Sequence, residues 1–198
     1  MGSISEKIYR EKHGIEILKQ VPYTDLFLTQ SQQGGNAMAI YIKMDTISGN
    51  VTSEGYENWI EAKHVRFPGI STQVSNNTGN GYSRITGKPY FGELTVIKQT
   101  DNSTTTLFEN AHSGKVIGTV EIDFVSTSNP PQAYEKFKLT NVIISHFSKE
   151  HHEGGGLPVE FIKLNYTKIE HTYIPRNSAN QLQSPQVTGY DIEQATST

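Results

Sequence analysis

The chain has 198 residues, no cysteine and a formal net charge of −3, with 17 Lys and Arg against 20 Asp and Glu. Disulfides, cysteine-type zinc sites and thiol nucleophiles are thereby excluded, and an acidic balance without a basic run argues against nucleic-acid binding through phosphates. No apolar run approaches the roughly 20 residues of a membrane span, and the N-terminus lacks the apolar stretch of a secretory signal.

Residues 1–37 differ from the rest of the chain. Ser3 and Glu6 have capping-box spacing, and Ile4, Ile8, Ile15 and Leu18 repeat roughly as on a helix until Pro22. The run 31–37, Ser-Gln-Gln-Gly-Gly-Asn-Ala, reads as a flexible linker, and Met38 after it is able to begin a protein. Residues 1–37 are therefore read as an extension, a fusion or an upstream start, and 38–198 as the main domain; a native N-terminal arm is the other reading.

From Met38 the period becomes two, with Met38, Ile40, Ile42 and Met44 on one face of a strand. Gly, Asn and Ser mark 46–58 as a loop. Trp59, Val65 and Phe67 predict one face of a second strand, with His64 and Arg66 on the other, up to Pro68-Gly69. The stretch 71–89 is long and poor in apolar residues, so it is expected to be a loop, of a length that is usually functional or mobile. Tyr90, Leu94 and Val96 alternate in a third strand.

A short helix is expected over 105–113, capped by Thr104 or Thr105, with Leu107, Phe108 and Ala111 inward and Gly114 at its left-handed stop. Val120, Ile122 and Phe124 line the next strand. Phe137, Leu139, Ile143 and Phe147 line the one after, with Val142 and Ile144 on its opposite face, as if a core covered one side and a partner the other. The three glycines 154–156 make a joint. Ile162, Leu164 and Tyr166 are then in phase, while Ile169 and Tyr173 are one step out, which predicts a β-bulge near Thr167-Lys168. Residues 189–194 read as a last short strand. Several short strands and one small helix predict a mainly all-β fold: two antiparallel sheets forming a sandwich or a partly closed barrel.

The common enzyme motifs are missing. His151-His152-Glu153 is followed by glycines, not by the second histidine that a zinc-protease helix needs four residues after the first, so no metal site is assigned. Gly87-Lys88-Pro89 and Gly114-Lys115-Val116 lack the upstream glycine and the hydroxyl of a phosphate loop. Residues 69–73 lack the second glycine of a nucleophile elbow, and 79–84 lack the third glycine of a dinucleotide fingerprint. No catalytic residue and no cofactor is assigned. Glu57, Glu61 and Glu93 are read as solvated carboxylates.

Four segments in order resemble the haemolysin-coregulated protein (Hcp) family, the inner-tube subunits of bacterial type VI secretion systems. Residues 38–51 resemble its opening Met-Ala strand and Gly turn, and 105–124 its Leu-Phe helix, Gly-Lys stop and following strand. Residues 161–175 resemble its Leu-Asn-Tyr strand with the same phase slip, and 189–194 its closing Gly-Trp-x-Ile, with Tyr190 in place of Trp. The resemblance implies a non-enzymatic subunit of a hexameric ring. Rings stack into a tube whose lumen holds small effector proteins, and whose partners are the sheath and the spike. It implies assembly in the bacterial cytoplasm, then export by the apparatus without a signal peptide.

By the same resemblance the 71–89 loop reaches a neighbouring ring, with Gly79, Asn80, Gly81 and Tyr82 at its tip. His64 and Arg66 then face the lumen, where a cationic wall favours acidic cargo. Val65 and Phe67 stand where the family is Trp-rich, and residues 1–37 have no counterpart in it. The competing readings are a monomeric β-sandwich that binds carbohydrate or protein, and a tube subunit carrying an effector peptide at its N-terminus.

Overall fold

A computed structural model describes residues 38–67, 69–75, 85–126, 130–151, 153, 156–179 and 181–198. The extension 1–37 with its linker, and the tip residues Gly79, Asn80, Gly81 and Tyr82, lie outside the described residues.

The described chain is mostly strand, as its alternating pattern requires. In order it forms β1 (Met38–Met44), β2 (Ile60–Ala62), β3 (His64–Arg66), β4 (Ile70–Ser75), β5 (Ile85–Phe91) and β6 (Leu94–Gln99). There follow α1 (Thr104–Ser113), β7 (Gly118–Ser126), β8 (Gln132–Glu150), β9 (Val159–Asn165), β10 (Lys168–Tyr173), β11 (Gln186–Asp191) and β12 (Thr196–Ser197). All pairings among these strands are antiparallel. One sheet runs β2-β1-β7-β8-β10-β11-β12, and a second runs β3-β6-β9-β8, sharing the long strand β8. Among the described residues β4 and β5 pair only with each other.

The core is built from the faces the period predicts: Ile42, Leu94, Val96, Leu107, Val120, Ile122, Leu139, Ile162 and Leu164 are fully buried. At three places the chain must pass between sheets, and there the phase slips. Ile60 and Ala62 are buried, yet Val65 and Phe67 also pack on that core, so the side-chain parity changes at Lys63. Lys63 N–H donates to the Ile97 carbonyl at 2.8 Å, which carries the chain from the first sheet to the second. The single strand expected over 59–67 is therefore two, and Trp59 belongs to a separate cluster with Tyr56, Val125 and Ala133.

β8 re-phases twice. Leu139, Val142 and Ile144 are all buried because Asn141 takes φ 56° between the first two. A register shift between Ile144 and His146 then turns the strand again, and Phe147 packs on the same core. Val142 and Ile144 thus face the core and not a partner. The bulge expected near Thr167-Lys168 is likewise a change of sheet: β9 pairs with β6 and β8 in the second sheet, and β10 with β8 and β11 in the first.

The helix lies where expected and stops at Gly114, with φ 63°. Its start differs from the expected cap. Asp101 carboxylate accepts the N–H of Ser103 and the Ser103 hydroxyl. The Thr104 hydroxyl accepts from Asp101 N–H at 3.1 Å and donates to Glu160 at 2.8 Å. Phe108 points outward and rests edge-on against Phe147, with ring centroids 5.9 Å apart, while Leu107 alone among the three expected side chains is fully buried. The same corner holds a buried charge cluster. Lys98 Nζ donates to Glu160 Oε2 at 2.9 Å and to Asp101 Oδ1 at 2.7 Å, and Thr100 Oγ1 donates to Glu160 Oε1 at 3.0 Å. Together these bonds tie β6, β9 and the start of α1.

Candidate functional site

Three exposed apolar side chains, Ile70, Val74 and Tyr90, lie on the β4–β5 ribbon, which overlaps the stretch 71–89 expected to be a loop. Ile70, Thr72 and Val74 supply β-branched alternation, and Ile70 pairs with Phe91, Ser71 with Tyr90 and Thr72 with Pro89 before a register shift ahead of Val74. The described part of the stretch contributes no residue to the core, which is why its strand character does not show as a buried face. Ile70 and Tyr90 are 65% and 69% exposed, and Val74 is exposed as well. Tyr90 therefore does not share a face with Leu94 and Val96, as the alternation suggests; Gly92 and Glu93 separate β5 from β6. A two-stranded ribbon on its own is marginally stable in water, so what holds its feet matters.

Both feet rest on aromatic rings. Phe67, just before the ribbon, stacks on Phe137 of β8 at 3.7 Å between centroids and 29° between planes. Phe137 stacks in turn on His171 of β10, at 4.4 Å and 15°. His171 Nε2 lies 2.8 Å from Glu135 Oε1. At the other foot Phe91 stacks on Tyr190 of β11, at 5.1 Å and 25°. The Tyr166 hydroxyl donates to the Gly92 carbonyl at 3.2 Å, and burial pushes that phenol up to about 12. Phe137 pairs with His171 across β8 and β10, and Tyr190 with Ile169 across β11 and β10, so both feet stand on one face of the first sheet.

His64 and Arg66 lie two residues apart on β3 and so share the face opposite Val65 and Phe67. Arg66 is exposed and His64 half-buried. Burial, and then the Arg66 charge, hold the His64 imidazole below its ordinary range. β3 pairs with β6 through His64–Ile97 and Arg66–Thr95.

The other face of the first sheet carries charges in cross-strand rows. Lys43, Glu121, Lys138 and Glu170 follow one another across β1, β7, β8 and β10. Beside them the Asp123 carboxylate accepts from Lys136 Nζ at 2.9 Å and from the Tyr56 hydroxyl at 3.1 Å. Burial, then Asp123, push the Tyr56 phenol far up. A shallow depression of about 120 Å³ between Glu121, Lys138 and Glu170 is thus lined by charges of both signs, with no single-sign field to hold an ion. Among the described residues no three His, Asp or Glu converge on a metal position. His151 and Glu153 are exposed, and His152 lies outside the described residues.

The aromatic feet are not among the site residues that the sequence singles out. Phe67 and Phe137 are 70 positions apart in the chain, and Phe91 and Tyr190 are 99 apart, so only the tertiary fold brings them together.

A family model described as "Type VI secretion system effector, Hcp" matches residues 41–173. A comparison with curated proteins finds no match. Among solved structures, one described as a type six secretion system protein covers 82% of this chain and 100% of its own, at 23% identity and a TM-score of 0.76. Hcp1 from Salmonella typhimurium covers 82% and 99%, at 22% identity and a TM-score of 0.66. A type VI secretion system effector from Yersinia pestis covers 77% and 98%, at 22% identity and 0.55. At these identities the solved structures bear on the fold, and the family model bears on membership. On that match the chain belongs to the Hcp family of type VI secretion system tube proteins.

Proposed function

We propose that this chain is a ring-forming subunit of the type VI secretion inner tube, working by shape and not by chemistry. Six copies form an annulus, annuli stack, and the lumen carries small effector proteins. The subunit assembles in the bacterial cytoplasm, contacts sheath and spike proteins, and is exported by the apparatus without a signal peptide. Residues 1–37 are an appended segment outside this fold, and 38–198 are the tube domain.

The observation that carries this reading is the β4–β5 ribbon. It lies outside both sheets and exposes Ile70, Val74 and Tyr90 to water. Such a ribbon gains by covering its apolar side chains with another surface, and in a family of stacking rings that surface is a second copy. Gly79, Asn80, Gly81 and Tyr82 then form the end that reaches the next ring. Strand pairing adds support: β1 pairs with β2, which continues into β3, then β6, β9, β8, β7 and β1 again, the circuit of a partly closed barrel. His64 and Arg66 on β3 are assigned to the lumen wall.

Electron micrographs of the purified full chain test the reading. Particles with a central hole are expected. Compact particles without one, at every protein concentration, favour the monomeric binding module instead.

A further inference from the structure

We propose that the direction in which the β4–β5 ribbon projects is set by two aromatic clamps at its feet, Phe67–Phe137–His171 and Phe91–Tyr190, which makes Phe137 and Tyr190 positioning residues for the contact between rings. The inference rests on the ring reading above for what the ribbon touches, but not for how the ribbon is held.

The argument is one of constraint. Among the described residues the ribbon pairs with no other strand, so no ladder of hydrogen bonds fixes its angle to the sheets. Phe67 ends the segment that packs on the core, and Ile70 begins the ribbon only three positions later. Phe91 is the last residue of β5, and Gly92 follows it without a side chain of its own. A two-stranded ribbon that leaves a body through such short joints is free to swing unless both joints are pinned. Here both are. Stacked rings resist tilting because offset-stacked planes lose contact area when rotated, and the interplanar angles of 29°, 15° and 25° are close to stacked.

The first clamp is backed on further sides. Phe124 meets Phe137 edge-on at 6.2 Å and 74°, while His171 is itself held by Glu135 at 2.8 Å. The second is backed by the strand ladder, since Tyr190 pairs with Ile169 and with Ser197. The Tyr166 hydroxyl bond to Gly92 adds a third point on the same joint. Two separated clamps on one sheet face leave rotation only about the line that joins them, and the stacked ring planes together with the Tyr166 bond oppose that rotation. The last strands of the chain, β11 and β12, thereby set the pose of a ribbon about 100 residues earlier in the sequence, through a ring contact and not through strand pairing.

The full chain has no cysteine, so spin labels can be placed on it cleanly. Ser71→Cys on the ribbon and Lys138→Cys on the sheet, diluted with unlabelled protein, report the ribbon's pose as a distance distribution. The parent protein should give one narrow peak. Phe137→Ala and Tyr190→Ala should each broaden it, and Tyr190→Phe, which keeps the ring, should restore it. Because Phe137 is half-buried and its loss can unfold the chain, Tyr190→Ala, one strand in from the sheet edge, is the deciding variant. In micrographs it should leave single rings and lose stacked ones. An unchanged narrow peak in Tyr190→Ala overturns the clamp, and a broadened peak with stacking unchanged overturns its role in the contact between rings. If the parent protein forms no rings at all, the tube reading falls, while the distance peak still decides whether the clamp exists.

Discussion

Lys98 Nζ lies 2.9 Å from Glu160 Oε2, with both side chains fully out of water. Such a pair is expensive to break from one side, because the remaining charge stays buried. Lys98→Met leaves Glu160 with two threonine hydroxyls and with Lys149 Nζ at 3.6 Å, and leaves Asp101 beside it. The expected loss is about 3–5 kcal/mol in urea unfolding at fixed protomer concentration. A change below about 1 kcal/mol would mean that the pair does not hold α1 and the two strands together.

Gly49 has no room for a side chain. A Cβ built there runs into the Trp59 carbonyl, which is backbone and cannot swing away. Gly49→Ala should destabilise by about 1–3 kcal/mol, in the range of an overpacked core. It should also disturb the contacts of Trp59 with Tyr56, whose rings meet edge-on at 4.9 Å. Near-ultraviolet circular dichroism of the single tryptophan is the readout, and an unchanged spectrum with unchanged stability contradicts the packing described.

His64 predicts a pH dependence with a definite sign. Its folded-state value is lowered, first by burial and then by Arg66, while the unfolded chain titrates near 6.5. As pH falls below about 6.5 the unfolded chain binds a proton that the folded chain refuses, so this residue's contribution to stability is lost on acidification. Above that value it contributes no slope. His64→Gln should flatten the acid side of the unfolding curve relative to the parent. A steeper acid slope in the variant would mean that folding raises the imidazole's proton affinity, the opposite of what burial beside Arg66 requires.

The ribbon can be tested without touching the clamps. Ile70→Ser with Tyr90→Ser removes two exposed apolar side chains and no buried contact. Thermal unfolding should move little, since exposed substitutions usually stay within about 0.5 kcal/mol. Stacked rings should become rarer in micrographs while single rings persist. Loss of stability together with unchanged stacking would show that the ribbon serves the fold and not assembly.

Much of this fold is legible in the sequence, and the failures share a cause. β1 and β7 are read correctly because each keeps one period against one core, and α1 is read correctly in its position and its Gly114 stop but not in its cap or in the direction of Phe108. The corners are not, because Lys63, Asn141 and Thr167 sit where a strand leaves one sheet for the other and the buried face changes parity. A phase slip is visible in the residues, but only the pairing tells a bulge from a change of sheet. The ribbon reads as a loop because alternation is recognised by burial, and Ile70-Ser71-Thr72-Gln73-Val74 has no buried side. That His64 and Arg66 share the face opposite Val65 is readable from β3 alone. The aromatic feet are not, because stacking between Phe91 and Tyr190 leaves no local pattern.

The most direct measurement is the absolute mass of the purified full chain by light scattering during gel filtration. The tube reading predicts a species near six times the 22.1 kDa of one chain, persisting on dilution. A single species at 22.1 kDa across the accessible concentration range would contradict it.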